Sequence, residues 1–194
     1  ELSVSLVSDQ ITAGDCAGNY SIARTLEIEN CAGGSAQYTY ILTVQDVEAP
    51  QFTSVPADYT IECSDEMVME DASATDNCGE VSIDVSTETI LGDATGNYTL
   101  IRTFIATDDC GNSTSATQTI TVEDTTAPEF TSVPSDYTAE CSDDLVLESA
   151  TAQDNCNGAE IAVSSEIVEG DATGNYTLIR TFTATDDAGN SATA

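Results

Sequence analysis

Between Tyr98 and Ala106 the residues sort into two alternating sets. Tyr98, Leu100, Arg102, Phe104 and Ala106 form one, largely apolar. Thr99, Ile101, Thr103 and Ile105 form the other, and their equivalents in an earlier segment are Ser21, Ala23, Thr25 and Glu27. A period of two predicts a half-buried strand whose apolar set faces a core. Across residues 49–126, similar runs rich in Thr, Val, Ile and Tyr, broken by Gly, Asn, Asp and Pro, predict strands near 51–55, 58–63, 67–75, 80–90, 97–107 and 114–123. The segment DDCGNS, Asp108 to Ser113, reads as the turn of a hairpin. No stretch carries the period of a long amphipathic helix. Six or seven short strands joined by tight turns predict an all-β chain folded as small antiparallel β-sandwiches.

The pattern recurs. GDATGNYTLIRTF runs from Gly92 to Phe104 and again, unchanged, from Gly170 to Phe182, an offset of 78 residues that also joins Cys63 to Cys141, Cys78 to Cys156 and Pro50 to Pro128. A further step back of 78 maps Tyr98 onto Tyr20 and Arg102 onto Arg24. Residues 1–46 therefore read as the C-terminal half of one repeat, 47–124 as a complete repeat, and 125–194 as a repeat truncated in its last strand. Both ends are expected to fall inside a repeat, as in a window of a longer chain. Short Pro-containing links, VQDVEAPQF (Val44 to Phe52) and VEDTTAPEF (Val122 to Phe130), predict stiff joints and an extended rod. The copied 13-mer is then a turn followed by a core strand, which shared packing explains as well as shared chemistry.

Charge narrows the partners. Thirty-five acidic residues stand against three basic ones, with no His, for a formal net charge of −32. Such a surface repels nucleic acid and anionic lipid and attracts cations. The 40% hydrophobic content and the strand pattern argue against a disordered acidic tract. No apolar run approaches the roughly 18 residues of a membrane helix, so no membrane insertion is expected within these residues. The three basic residues are Arg24, Arg102 and Arg180, one position in three copies, on the core-facing set. A structural role is expected, the stem packed and the head at a carboxylate or an aromatic ring.

Seven cysteines in such a chain point to an oxidising, extracellular setting. Structural zinc fits poorly, with no His and no Cys-x-x-Cys. The third copy keeps Cys141 and Cys156 but has Ala172 and Ala188 at the other cysteine positions, so the simplest bridges are Cys63 to Cys78 and Cys141 to Cys156. Cys16 and Cys31 remain as candidates for a further bridge. An unbroken strand between them would hold the sulfurs far apart, so either that strand is broken or their partners lie in a front half-repeat outside these residues. Cys110 is either free or displaces one member of the Cys63 to Cys78 pair.

Without His or Lys, the usual triads and Schiff-base arrangements are excluded, and Cys110 has no evident base. Carboxylate pairs are too abundant to discriminate, and no Gly-rich phosphate loop occurs. The expectation is a non-enzymatic chain.

Cation binding is the sharper reading. The loops ATDNCG (Ala74 to Gly79) and ATDDCGNS (Ala106 to Ser113) should face the first joint. That gathers Asp46, Glu48, Asp76, Asp108, Asp109 and Asn112. At the second joint Glu123, Asp124 and Glu129 should meet Asp154, Asp186, Asp187 and Asn190. Calcium takes six to eight oxygen ligands of these kinds, and clustered carboxylates repel one another unless a cation neutralises them. The competing reading is solvated acidic loops with Asx turns. Asn19, Asn97, Asn112 and Asn175 each begin an N-x-[ST] triplet, three of them in the repeated GNY turn, where Asn has an ordinary structural role.

Together, APxFTSVPxDYT, the ECSD and TDNC segments, GNYTLIRTF, TATDDxGNS and TITVEDTTAP resemble hyalin-type repeats of immunoglobulin-like (Ig-like) architecture. They are most similar to the tandem repeats of giant cell-surface adhesins of Bacteroidota, including SprB-type gliding-motility adhesins exported by the type IX secretion system. The resemblance covers essentially the whole chain. It implies tandem Ig-like repeats in a secreted or cell-surface filamentous protein, acting as a structural or adhesive stalk, with further repeats, other filament subunits, surface glycans or substrata as partners. It also implies an O-glycosylation site at Asp124-Thr125-Thr126, with Thr125 the candidate. Family repeats often place a Cys before the GNY turn and another in the TATD-x-CGN turn. Cys16 and Cys31 fit those places, while Ala94, Ala172 and Ala188 depart from them. Two rival readings are a non-catalytic spacer attached to a secreted enzyme and a dedicated ligand-binding module. The latter would need clustered exposed aromatics, whereas there is no Trp and the Tyr positions mostly repeat with the period.

Overall fold

The computed structural model describes all 194 residues, which form fourteen strands and no helix. The first half-repeat is a meander of β1 (Leu2–Ala13), β2 (Tyr20–Asn30) and β3 (Ser35–Val44), in that order. The middle repeat holds β4 (Gln51–Ser54), β5 (Tyr59–Glu62), β6 (Ser73–Thr75), β7 (Val81–Leu91), β8 (Tyr98–Asp108) and β9 (Ser113–Glu123). Its larger sheet has the order β5-β9-β8-β7, and β4 pairs with β6 in a smaller one. The last repeat holds β10 (Glu129–Ser132), β11 (Thr151–Gln153), β12 (Glu160–Glu169), β13 (Tyr176–Thr185) and β14 (Ser191–Thr193), in sheets β10-β11 and β12-β13-β14. β4 and β10 carry the same bulge, after Phe52 and after Phe130.

The all-β, tandem-repeat reading holds, with two differences in the strands. The expected antiparallel sandwich contains one parallel pair, β5 on β9, with Tyr59 opposite Ile120 and Glu62 opposite Glu123. The strand expected over 67–75 shrinks to β6, because the carbonyls of its first half are taken by side chains. Tyr59 Oη donates to Val68 O at 2.8 Å and Arg102 Nη1 to Glu70 O at 2.8 Å. Tyr137 and Arg180 do the same to Val146 O and Glu148 O in the next copy.

By packing, the chain divides into two units. The first comprises Glu1–Ala57, Met69–Thr87 and Arg102–Gln118, and the second Asp58–Val68, Glu88–Ile101 and Thr119–Ala194. β7, β8 and β9 thus contribute residues to both. In the first unit Phe104 and Ala106 are fully buried, and the polar Arg102, Asp108 and Gln118 are buried as well. In the second, Leu100, Ile120, Val122, Ala150, Phe182 and Ala184 are buried. Leu100, Arg102, Phe104 and Ala106, with the equivalent Phe182 and Ala184, come from the alternating set that the sequence assigns to the core, whereas Ile120, Val122 and Ala150 lie in other segments. β1 is exposed along its whole length, and its counterparts β7 and β12 are exposed over most of theirs.

The three arginines find different partners, and local sequence explains why. Cross-strand from Arg24 stands Asp9, which takes its Nε and Nη2 at 2.8 and 2.6 Å. The corresponding positions in the other copies are Thr87 and Ser165, so no carboxylate is there to pair. Arg102 and Arg180 instead lie over Phe104 and Phe182, at 4.9 and 4.7 Å from the ring centroids, where the first copy has Leu26. Arg102 also donates to Gln118 Oε1 at 2.9 Å.

The disulfide pairing differs from expectation. Cys63 bonds Cys156 and Cys16 bonds Cys110, with Cα separations of 5.8 and 5.1 Å, while Cys31, Cys78 and Cys141 are free and exposed. Neither expected bridge, Cys63 to Cys78 or Cys141 to Cys156, exists. The parallel register is the cause: β5 delivers Cys63 N–H to Glu123 O at 3.3 Å, at the start of the link to the next repeat, and so within the second unit. Cys78 belongs to the first unit, where a Cβ added at Gly18 would sit 3.0 Å from its own. β2 is unbroken, so Cys16 and Cys31 do not meet; Cys16 reaches the following repeat, and Cys110 is neither free nor a competitor of Cys63. Each bond therefore joins one repeat to the next.

Candidate metal centre

In the second unit, Asp124 comes from the link VEDTTAP, Asp154 from the QDNC turn and Asp186 from the TDDAGN turn. Their carboxylate oxygens lie within 4.8 Å of one another. Asp124 and Asp186 are buried, 5% and 6% exposed, and Asp154 is half-buried. Backbone donors pin each one. Asp124 accepts Thr126 N–H at 3.2 Å, Asp154 accepts Cys156 N–H at 2.8 Å, and Asp186 accepts Asn190 N–H at 2.9 Å. Asn190 Nδ2 ties two of the segments together, donating to Asp186 Oδ2 at 3.0 Å and Asp124 O at 3.1 Å. The GNY turn closes the set, since Asn97 Oδ1 accepts Asp124 N–H at 2.8 Å.

Two oxygens in this cluster, Asp124 Oδ2 and Asp154 Oδ1, are buried without a hydrogen-bond partner. An uncompensated buried carboxylate oxygen is costly, and a hard cation offers the missing partner. Burial pushes the Asp124 carboxyl up from its ordinary value, helped by the charges of Asp154, Asp186 and Glu62 and opposed by the Thr126 N–H. The donor set is all oxygen and all anionic, which suits calcium or magnesium. The residues present fit such an ion, with Asp124, Asp154 and Asp186 as its holders.

The first unit is built from the same positions and is less complete. Asp46 accepts Glu48 N–H at 3.2 Å, Asn19 Oδ1 accepts Asp46 N–H at 2.7 Å, and Asn112 Nδ2 donates to Asp46 O at 3.4 Å. Here the close group is Asp46, Asp76 and the free Cys78. Asp108 is buried, and its oxygens are satisfied by Cys110 N–H, Asn112 N–H and Asn112 Nδ2. Burial raises its carboxyl, but those donors outweigh it and the net shift is downward.

Among the other candidates, Glu48, Asp109 and Asp187 join neither close group. Glu48, Asp109 and Asp187 are exposed, and the asparagines Asn112 and Asn190 position backbone and carboxylate instead. Thr125 Oγ1 donates to Glu62 Oε1 at 2.5 Å, with Thr126 Oγ1 on the same oxygen at 3.0 Å. These hydroxyls, Thr125 foremost, hold the Glu62 carboxyl below its ordinary value. Glu62 is the residue the sequence reading missed. It stands with Cys63, Asp124 and Cys156 in a close group, and the signal for it was the ECSD cysteine, once that is placed at the joint.

No protein-family model matches the sequence, and no curated protein is similar enough to count as a relative. Solved structures that resemble the chain include Drosophila N-cadherin EC1-4 (18% identity over 100% of this chain and 64% of that one, TM-score 0.35). Human CDH23 EC21-23 matches with 13% identity over 99% and 87%, TM-score 0.36, and the human desmocollin-1 ectodomain with 12% over 100% and 50%, TM-score 0.29. TM-scores this low establish no common topology.

Proposed function

We propose that these are non-enzymatic, calcium-stiffened structural or adhesive repeats of a large secreted or cell-surface protein. The observation that carries the reading is the Asp124, Asp154 and Asp186 cluster, drawn from two successive repeats, with two buried carboxylate oxygens lacking partners. A cation there ties the link of one repeat to two turns of the next. Two disulfides between successive repeats support an oxidising, extracellular location. The residue inventory, without His or Lys, supports a role in holding rather than in chemistry. The motif resemblance favours a surface adhesin of the gliding-motility kind, whose partners are further repeats, filament subunits, surface glycans or substrata. The test is calorimetric. Calcium titrated into the chelator-stripped chain should bind at about 10⁻⁴ to 10⁻³ M, as extracellular modules do, and should raise the melting temperature. Absence of heat and an unchanged melting temperature in millimolar calcium would sink the cation reading.

A further inference from the structure

Asp124, Asp154 and Asp186 place three like charges within 4.8 Å of one another, so each must be held against repulsion. For two of them the tie is Asn190, whose Nδ2 donates to Asp186 Oδ2 at 3.0 Å and to Asp124 O at 3.1 Å. Asp154 has no such tie. Its Oδ2 accepts only N–H groups of its own turn, from Cys156 at 2.8 Å and Asn157 at 3.3 Å, and its Oδ1 is buried without a partner, as is Asp124 Oδ2. Asp124 is 5% exposed, so its orphaned oxygen has no ready access to water.

The turn that carries Asp154 is fastened elsewhere. Asn155 Nδ2 donates to Ser64 Oγ at 3.0 Å and Asn157 Nδ2 to Thr95 O at 2.6 Å, both exposed to water, where a hydrogen bond contributes little. The strong link is the covalent one, from the half-buried Cys156 to the half-buried Cys63. Cys63 follows Glu62, whose Oε1 takes the Thr126 hydroxyl at 3.0 Å, and Thr126 N–H goes to Asp124 Oδ1 at 3.2 Å. A closed circuit therefore runs from Asp154 through the disulfide and Glu62 to Asp124. Its middle is compact, since the ligand atoms of Glu62, Cys63, Asp124 and Cys156 lie within 4.8 Å of one another.

We propose that the Cys63–Cys156 disulfide is the positioning element that holds Asp154 against Asp124, so that calcium affinity at this cluster is set by the thiol redox state. This rests on the cation reading of the cluster and adds what controls it. With the bond intact, the carboxylates are preorganised for the ion. With it open, repulsion drives the Asp154 turn outward and the ion must draw it back. Opening is thiol–disulfide exchange with a dithiol such as dithiothreitol. One thiolate of the reductant attacks a cysteine sulfur and breaks the Cys63–Cys156 bond, and its second thiol closes the reductant's own disulfide. Two electrons and two protons end on the two cysteines. Linkage is reciprocal, so bound calcium protects this bond from reduction by the factor that reduction costs calcium in affinity.

The experiment uses the full chain, with calcium chloride as the probe. Calorimetric titration of the oxidised parent and of a double variant, Cys63→Ser with Cys156→Ser, should show binding at least about fivefold weaker in the variant. In a second arm the parent is equilibrated in a dithiothreitol redox buffer with millimolar calcium or with chelator, and its thiols are trapped by alkylation and mapped by mass spectrometry. Calcium should shift the equilibrium toward the Cys63–Cys156 disulfide by a factor no greater than the affinity ratio of the first arm. That shift should vanish in Asp186→Asn, which keeps the disulfide but lacks one holder of the ion. Equal affinities in parent and double variant would overturn the proposal, as would a reduction equilibrium that ignores calcium or responds to it equally in Asp186→Asn. An oxidised parent that binds no calcium would instead remove the cation reading itself, and this proposal with it. The redox arm needs no cysteine substitution, so the test stands even where the double variant fails to fold.

Discussion

Asn97 Oδ1 accepts the backbone N–H of Asp124 at 2.8 Å, and one repeat earlier Asn19 does the same for Asp46 at 2.7 Å. The GNY turn of the copied 13-mer therefore grips the link that carries the joint's central carboxylate. Asn97→Ala leaves that N–H without its acceptor, which should cost about 1–3 kcal/mol in urea unfolding and weaken calcium binding as well. An unchanged unfolding midpoint and calcium affinity would show the turn to be incidental.

Asp124→Asn separates repulsion from ligation. In chelator, removing one of three clustered charges should raise the melting temperature relative to the parent. In millimolar calcium the order should reverse, because the parent gains an ion that the variant binds poorly. A variant less stable than the parent in both buffers would contradict the repulsive cluster.

The pH dependence follows from the direction in which Asp124 is shifted. Its carboxyl is raised in the folded chain, so its contribution to stability is full below the unfolded value near 3.8 and is lost as pH rises through the folded value. In chelator, a pH titration of the melting temperature should show this loss above about pH 4. Asp124→Asn should remove that component, and calcium should oppose it, since the ion favours the ionised form.

Cys63→Ser opens a loop of sequence separation 93 and should cost about 4.6 kcal/mol by chain-entropy reasoning. Cys78→Ser and Cys31→Ser, at free exposed thiols, should stay within about 0.5 kcal/mol of the parent. Denaturant unfolding under non-reducing conditions distinguishes them.

The equivalent arginines should not be equivalent in energy. Arg102 is buried and holds Glu70 O and Gln118 Oε1, so Arg102→Met should cost about 2–4 kcal/mol. Arg24 meets Asp9 near the surface, where solvent screens the pair, so Arg24→Met should cost clearly less, and high salt should erase most of that cost. Equal losses for the two substitutions would refute this division.

Much of the fold was legible because period and repeat act locally. The alternation of Leu100, Arg102, Phe104 and Ala106 reports their burial directly, and the offset of 78 places each copy's strands. What the sequence did not show was pairing between distant segments. Nothing local distinguishes β5 pairing parallel to β9 from an antiparallel neighbour, and that register alone carries Cys63 away from Cys78. The same gap explains the partial metal set. Asp124, Asp154 and Asp186 were readable as turn residues, but which acidic neighbours turn outward, as Asp187 does, depends on side-chain direction at a joint.

The two disulfides interlock, since Cys63 lies between Cys16 and Cys110, and Cys110 lies between Cys63 and Cys156. Tension applied at the ends of the chain therefore does not follow a single backbone. From Cys16 it passes either along the 47 residues to Cys63 and across to Cys156, or across to Cys110 and along the 46 residues to Cys156. Two nearly equal strands share the force, and either can break while the other still connects the ends.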